Sequence, residues 1–143
     1  MYRCVIEDSS YAAIQVNAYV NLTVYSSHIS GRYYGIVVSS YRSRVSVENT
    51  DVRGGIYGVH CSGSGIDCRV ANSYLQSITC QYVRSCTVQR CVMNSPDSQQ
   101  QIINAVSVQT LVIDSNIIAN TTSGQIARAS SCTAVQVGFL YFF

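Results

Sequence analysis

The apolar positions of this chain recur in one short frame. In Val45-Ser46-Val47-Glu48-Asn49-Thr50-Asp51-Val52, two apolar residues two positions apart are followed, three positions later, by a small polar residue and then by another apolar residue. This repeat frame occurs seven times, at steps of 18 to 25 residues, beginning at Cys4, Leu22, Val45, Cys68, Cys86, Leu111 and Val135. Only the last copy breaks the small polar position, with Leu140. Apolar residues sustained at helical spacing are absent, so the chain is predicted to be all-β and repetitive.

Each copy of the repeat frame predicts one short strand, a bend and the start of a second strand. Residues two apart lie on the same face of a strand, so the first two apolar residues point inward. Coils of this length bury their inner faces only by stacking on one another. We therefore expect a single β-solenoid domain over residues 1–143 with about seven coils, and a surface loop at 95–101.

The repeat frame resembles that of the right-handed parallel β-helix superfamily, which includes pectin-lyase-like enzymes and the tailspikes and fibres of bacteriophages. The resemblance runs from Cys4 to Phe142 and is carried by segments such as VSVENTDV, CRVANSYL and LVIDSNII, not by catalytic residues. It implies a single-stranded right-handed parallel β-helix. A fold alone does not assign a function.

The resemblance implies three kinds of function. We expect a structural and recognition β-helix of a virus particle, such as a tailspike, tail fibre or decoration protein, that contacts host surface polysaccharide or other virion subunits. The alternatives are a polysaccharide-degrading enzyme, either a lyase or a glycoside hydrolase, and a segment of a bacterial surface adhesin. No motif settles whether the chain is an enzyme, and the expectation leans towards a role without catalysis.

The composition is typical either of a surface that contacts another molecule or of a chain rich in strands, which tyrosine also suits. Only 11% of the residues are charged, and eleven are tyrosines, which offer a large contact area at a low cost in entropy. The basic residues are all arginines. The net charge of +2 is too small to indicate a nucleic-acid-binding surface. No apolar run reaches the ~18 residues of a membrane span, so we expect no membrane insertion.

The seven cysteines are odd in number and include no CxxC pair, so the spacing supports no zinc site. Cys4, Cys68, Cys86 and Cys91 fall on inward positions, where Cys68 and Cys86 of adjacent coils approach disulfide distance. We expect free thiols, folding in a reducing compartment, and no metal or cofactor.

Met1 leads directly into the first coil, which predicts no signal peptide. The expected location is a virion assembled in the host cytoplasm, with secretion or the cell surface as the alternative.

The candidate catalytic residues are Glu7, Glu48, Asp51 and His28. Glycoside hydrolysis needs two carboxylates ~5–10 Å apart. Glu7 and Glu48 take the same outward position of the repeat frame two coils apart, about 10 Å by the strand spacing, with Tyr25 between them. His28 and Asp51 share an outward position on neighbouring coils, where they can form an acid–base couple. Ordinary surface contacts are the alternative for both pairs.

Two further surfaces are candidates for contact with other molecules. A basic strip for sugar or protein is predicted from Arg42, Arg44, Arg53 and Arg69, near Tyr41 and Tyr74. The apolar end at 135–143 either caps the last coil or packs against another subunit, through Phe139, Tyr141, Phe142 and Phe143. We expect a homotrimer in which three such ends bury one another, with other virion proteins as further partners.

Overall fold

The computed structural model describes residues 4–9, 11–94, 101–119 and 127–142. These residues form short β-strands joined by turns and bends. In chain order the strands are β1 (Val5–Ser9), β2 (Ala12–Val16), β3 (Asn21–Tyr25), β4 (His28–Gly31), β5 (Tyr34–Ser39), β6 (Arg44–Glu48), β7 (Asp51–Gly54), β8 (Tyr57–Ser62), β9 (Asp67–Ala71), β10 (Tyr74–Leu75), β11 (Ile78–Gln81), β12 (Ser85–Gln89), β13 (Val92–Met93), β14 (Ile103–Val106), β15 (Thr110–Asp114), β16 (Asn116–Ile118), β17 (Ala127–Ser130), β18 (Ala134–Val137) and β19 (Leu140–Phe142).

Three parallel sheets run along the stack. Sheet 1 has seven strands, in the order β1, β4, β7, β10, β13, β16 and β19. Sheet 2 runs from β2 to β17 and sheet 3 from β3 to β18, with six strands each. Each strand pairs in parallel with the strand three places along the chain, as β3 does with β6 and β6 with β9. The chain therefore winds through sheets 1, 2 and 3 in turn, and the prediction of a parallel β-helix is confirmed.

The inward positions of the repeat frame form continuous columns in sheet 3. Leu22 pairs with Val45, and Val24 pairs with Val47 on the next coil. Val45 and Val47 are both 0% exposed. The first column continues through Cys68, Cys86, Leu111 and Val135. Stacking thus buries the apolar residues that no single coil could cover, as the frame predicts.

A small polar residue stabilises the bend between sheets 3 and 1 in several coils. The Thr50 hydroxyl donates to the carbonyl oxygen of Glu48 at 2.8 Å. The Thr50 N–H donates at 3.1 Å to the hydroxyl of Ser73, the equivalent residue of the next coil. Asn49, just before Thr50, has a φ of 51°, in the left-handed region that Asn tolerates better than most residues. The small polar position is therefore required because it pairs backbone groups that the bend would otherwise leave buried and unpaired.

The first copy of the repeat frame, at Cys4, is out of register. Strand β1 belongs to sheet 1, where Val5 lies opposite His28 and Ile6 opposite Ile29. Cys4 is exposed, not inward as predicted. Sheet 3 accordingly has six strands, and the predicted count of about seven coils is slightly too high.

The cysteines only partly follow the prediction. Cys68 and Cys91 are buried free thiols, as expected. Cys80 and Cys86, however, form a disulfide, so the expectation of free thiols is wrong for this pair. The bond joins β11 to β12 across the corner between sheets 2 and 3. Cys68 is the register partner of Cys86 on the adjacent coil, as the sequence predicts. The bonded partner of Cys86 is instead Cys80 of the same coil.

The apolar end continues the stack. Strand β18 pairs with β15, and β19 pairs with β16. Phe139 is 73% exposed and Tyr141 is 51% exposed. The side chain of Phe142 and all of Phe143 lie outside the described residues, as do positions 95–100 of the predicted loop. Within the described ranges, no helix is long and apolar enough to cross a membrane.

Candidate recognition surface

An ion-pair cluster lies on the outer face of sheet 1. His28 of β4 and Asp51 of β7 are register partners, and His28 Nδ1 lies 3.1 Å from Asp51 Oδ2. His28 Nε2 lies 3.6 Å from Glu7 Oε1. The predicted contact between His28 and Asp51 is thus present, and Glu7 joins it from β1.

Arg53 extends this cluster towards Tyr74. Arg53 Nε donates to Asp51 Oδ1 at 3.0 Å, and its Nη2 lies 2.9 Å from Asp51 Oδ2. The hydrogen bond to Asp51 raises the pKa of the Arg53 guanidinium. Arg53 Cζ lies 5.4 Å from the centre of the Tyr74 ring, at the distance of a cation–π contact. Both carboxylate oxygens of Asp51 are therefore held by neighbouring side chains.

The ion-pair cluster borders a shallow depression of about 400 Å³ that is lined by His28 and Asp51 together with the turns beside them. The imidazole of His28 lies between the carboxylates of Glu7 and Asp51. An imidazole so placed can transfer a proton from one carboxyl group to the other, which is the chemistry of an acid–base couple. The cluster is open to solvent, because the side chain of Glu7 is 61% exposed and that of His28 is 33% exposed.

Glu7 and Glu48 do not share the outward column that the repeat frame predicted for them. Glu48 is the last residue of β6 in sheet 3, where its register partner is Tyr25. Glu7 lies in β1 of sheet 1, because the first copy of the repeat frame is out of register. Glu48 Oε1 lies 3.7 Å from Arg69 Nε and accepts a hydrogen bond from the Ser46 hydroxyl at 3.5 Å.

The predicted basic strip is divided between sheets. Arg44 and Arg69 lie in β6 and β9 of sheet 3, whereas Arg53 and Tyr74 lie in β7 and β10 of sheet 1. The prediction failed because it placed the arginines by sequence proximity and not by their position around the coil.

Tyr41 and Arg42 lie at the corner between sheets 2 and 3. Tyr41 is 73% exposed. Arg42 lines a depression of about 550 Å³ together with Arg44, Asp67 and Arg84. Arg84 pairs with Asp67 and lowers the pKa of the Asp67 carboxyl. This corner is consequently a mixed-charge surface and not a purely basic one.

Four aromatic rings cluster at the corner between sheets 1 and 2. The rings of Tyr34 and Tyr57 are stacked, with centroids 5.4 Å apart and planes 24° apart. Tyr11 lies 5.1 Å from Tyr34 and 6.3 Å from Tyr33, measured between centroids. Arg32 Cζ lies 5.6 Å from the centre of the Tyr33 ring. We call Tyr11, Tyr33, Tyr34 and Tyr57 the tyrosine corner.

The β-helix repeat places these rings one above another. Tyr34 and Tyr57 begin β5 and β8 and are register partners. Glycine follows each of them, and a Cβ at Gly35 would lie 2.7 Å from the carbonyl oxygen of Gly58. Glycine at this position therefore lets adjacent coils approach closely behind the rings. Tyr11 and Tyr33 are the more open members, at 47% and 39% exposed.

Beside the tyrosine corner, the outer face of sheet 2 carries a polar column. His60, Thr79 and Asn104 are successive register partners. His60 Nδ1, Thr79 Oγ1 and Asn104 Oδ1 are buried without a hydrogen-bond partner among the described residues. Burial lowers the pKa of the His60 imidazole, which favours its neutral form. The centroids of the Tyr34 and Tyr57 rings both lie 5.7 Å from that of His60.

The tyrosine corner was not among the predicted sites. The signal for it was present, since Tyr34-Gly35-Ile36-Val37-Val38 aligns with Tyr57-Gly58-Val59-His60-Cys61 at an offset of 23 residues. Alternation along the strand predicts that His60 faces outward if Val59 and Cys61 face inward, and both of these are 0% exposed.

Comparison with protein-family models, with curated proteins and with solved structures finds no match to the chain. The strand pairing supports the resemblance drawn from the repeat frame at the level of the parallel β-helix fold.

Proposed function

We propose that this chain is a recognition β-helix without catalytic activity, and that its tyrosine corner binds sugar rings of a surface polysaccharide. The observation that carries this proposal is the cluster of Tyr11, Tyr33, Tyr34 and Tyr57 on three successive coils, with Arg32 beside it.

The tyrosine corner has the properties that sugar recognition needs. An aromatic face offers a large rigid apolar surface at a small cost in side-chain entropy, and the phenol adds a hydrogen-bonding group. The exposed rings of Tyr11 and Tyr33 provide such faces, and the Arg32 guanidinium provides donors for hydroxyl or carboxylate groups. Because the rings follow one another along the stack, a polymer lying parallel to the stack contacts several of them.

We further propose that the chain is a structural component of a virus particle, assembled as a homotrimer. The repeat frame resembles that of bacteriophage tailspikes and fibres, and the low charged fraction of 11% suits a surface that meets other subunits. Val92, Ile117 and Tyr141 form an apolar column on the outer face of sheet 1. Phe139, 73% exposed, lies close by in sequence. Such an apolar outer face is typical of a protein contact surface.

Replacing Tyr11 and Tyr33 together with Ala is expected to weaken polysaccharide binding at least about fivefold. Each aromatic contact is worth ~0.5–1.5 kcal/mol, and about 1.4 kcal/mol corresponds to tenfold in affinity. The matched control replaces Tyr41 and Tyr82 with Ala. These side chains are 73% and 60% exposed but lie at the corner between sheets 2 and 3, away from the tyrosine corner. Isothermal calorimetry against a panel of neutral and acidic polysaccharides measures both variants. Equal losses in the two variants would place the binding surface elsewhere.

A second candidate function is cleavage of acidic polysaccharide, because His28 lies between the carboxylates of Glu7 and Asp51. The proposal made above predicts that no new chain ends appear on incubation with the polymer, and that Asp51→Asn leaves binding unchanged. Asp51 is already engaged by Arg53 and His28, which favours a structural role. Product formation that is lost in both His28→Gln and Asp51→Asn would instead establish the enzyme.

A further inference from the structure

Four core cysteines occupy equivalent positions on two adjacent coils. Cys61 is the register partner of Cys80 in sheet 2, and Cys68 is the register partner of Cys86 in sheet 3. Cys80 and Cys86 are joined by a disulfide across the corner, with Cα atoms 6.5 Å apart. One coil earlier, the Sγ atoms of Cys61 and Cys68 lie 2.9 Å apart.

We propose that Cys61 and Cys68 form a second disulfide, stacked on the Cys80–Cys86 disulfide. The same corner of the β-helix is bridged in one coil, and in the coil before it the two sulfur atoms already face each other across that corner. Parallel register keeps equivalent backbone positions at one strand spacing, so a geometry that permits the bond in one coil is reproduced in its neighbour. The inference is independent of the polysaccharide proposal.

The reaction needs an oxidant, for which a small disulfide such as oxidised glutathione suffices. One cysteine thiolate attacks a sulfur of the oxidant, forming a mixed disulfide and releasing one glutathione thiol. The second cysteine thiolate then attacks the protein sulfur of the mixed disulfide and releases the other glutathione. Cys61 and Cys68 together lose two electrons and two protons, and the oxidant's disulfide is reduced to two thiols.

The bond must form while the chain is folding. Cys61 and Cys68 are 0% and 1% exposed in the folded chain, so an oxidant has no direct access to them. The contact with Cys68 and burial both raise the pKa of the Cys61 thiol well above its usual value. Since the thiolate is the nucleophile, the folded dithiol reacts slowly. An oxidant present during folding meets both thiols before the coil closes.

The sequence allows a direct test of the pairing. Cleavage after arginine releases peptide 54–69, which contains Cys61 and Cys68, and separate peptides 70–84 and 85–90, which contain Cys80 and Cys86. The full chain is refolded with oxidised and reduced glutathione, free thiols are blocked with N-ethylmaleimide in denaturant, and the unreduced digest is analysed by mass spectrometry. We expect peptide 54–69 to be lighter by two hydrogens and unmodified by maleimide, and peptides 70–84 and 85–90 to be linked.

Two results would overturn this inference. One is peptide 54–69 carrying a maleimide on both cysteines in the oxidatively folded protein. The other is linkage of peptide 54–69 to peptide 70–84 or 85–90, which would show pairing between coils. As a control, Cys68→Ser is expected to leave Cys61 with one maleimide and to keep peptides 70–84 and 85–90 linked. A bond from Cys61 to Cys80 in that variant would also contradict the assigned pairing.

Discussion

Replacing Val47 with Asp is expected to prevent folding. Val47 is 0% exposed and stands in an inward column between Val24 and Val70, so the new carboxylate would be buried among apolar side chains. An unpaired charge in such a core costs more than about 4–5 kcal/mol, which is comparable to the whole stability of about 5–15 kcal/mol for a domain. Circular dichroism and urea unfolding of the purified variant measure the loss.

The matched control is Ser46→Asp, one position earlier in the same strand. Successive side chains in a strand point to opposite faces, and Ser46 faces outward, with Arg69 as its register partner. We expect the stability to change by no more than about 0.5 kcal/mol, which is usual for surface substitutions. Similar losses in Val47→Asp and Ser46→Asp would refute the assignment of inward and outward faces.

Replacing Asn116 with Ala is expected to lower the free energy of unfolding by about 2–4 kcal/mol, because two buried backbone groups lose their partners. Asn116 is 0% exposed. Its Oδ1 accepts a hydrogen bond from the N–H of Cys91 at 2.9 Å, and its Nδ2 donates to the carbonyl oxygen of Val88 at 2.9 Å. The side chain thereby stabilises the bend between β12 and β13, in the coil before its own. Urea unfolding at equilibrium measures the difference.

Asn104→Ala serves as the control for this substitution. The Oδ1 atom of Asn104 is buried but has no hydrogen-bond partner among the described residues. Its removal relieves an unpaired polar group, so we expect a loss below about 1 kcal/mol, or a gain. A larger loss in Asn104→Ala than in Asn116→Ala would show that hydrogen bonding at the bends is not what stabilises the stack.

The architecture could be predicted from the sequence because successive coils need the same residue types at equivalent positions. In the inner coils, positions such as Val45 and Val47 must be apolar since the coils on both sides cover them. The bend position must be small and polar, as Thr50 and Ser73 are, because its hydroxyl pairs the backbone of two coils. Several copies of the same requirement leave a periodic signal that no single strand could give.

In the first coil, the repeat frame predicts the wrong sheet for its strand. Cys4 and Ile6 fit two positions of the repeat frame by chance, because short alternations of apolar residues are common in a chain that is 48% hydrophobic. The pairing of Ile6 with Ile29 fixes the true register. Because β1 lies in sheet 1, Glu7 lies next to His28 and not in one column with Glu48. One error of register therefore accounts for the incorrect placement of this predicted carboxylate pair.

The tyrosine corner and the disulfide depend on positions around the coil that the repeat frame does not specify. The frame covers the strand of sheet 3 and the bend into sheet 1, whereas Tyr34, Tyr57 and Cys80 lie in sheet 2 or at its start. Coils of 18 to 25 residues differ in length within that remaining part. Which residues meet there follows only from the observed register.

The measurement that tests the proposed function most directly is a calorimetric titration of the wild-type chain with neutral and acidic polysaccharides, followed by assay of the same samples for new chain ends. We expect saturable binding to at least one polymer, weakened in the variant with Tyr11→Ala and Tyr33→Ala, with no polymer cleaved. The absence of binding to any polymer in the panel, or turnover of a bound one, would contradict a recognition role for this β-helix.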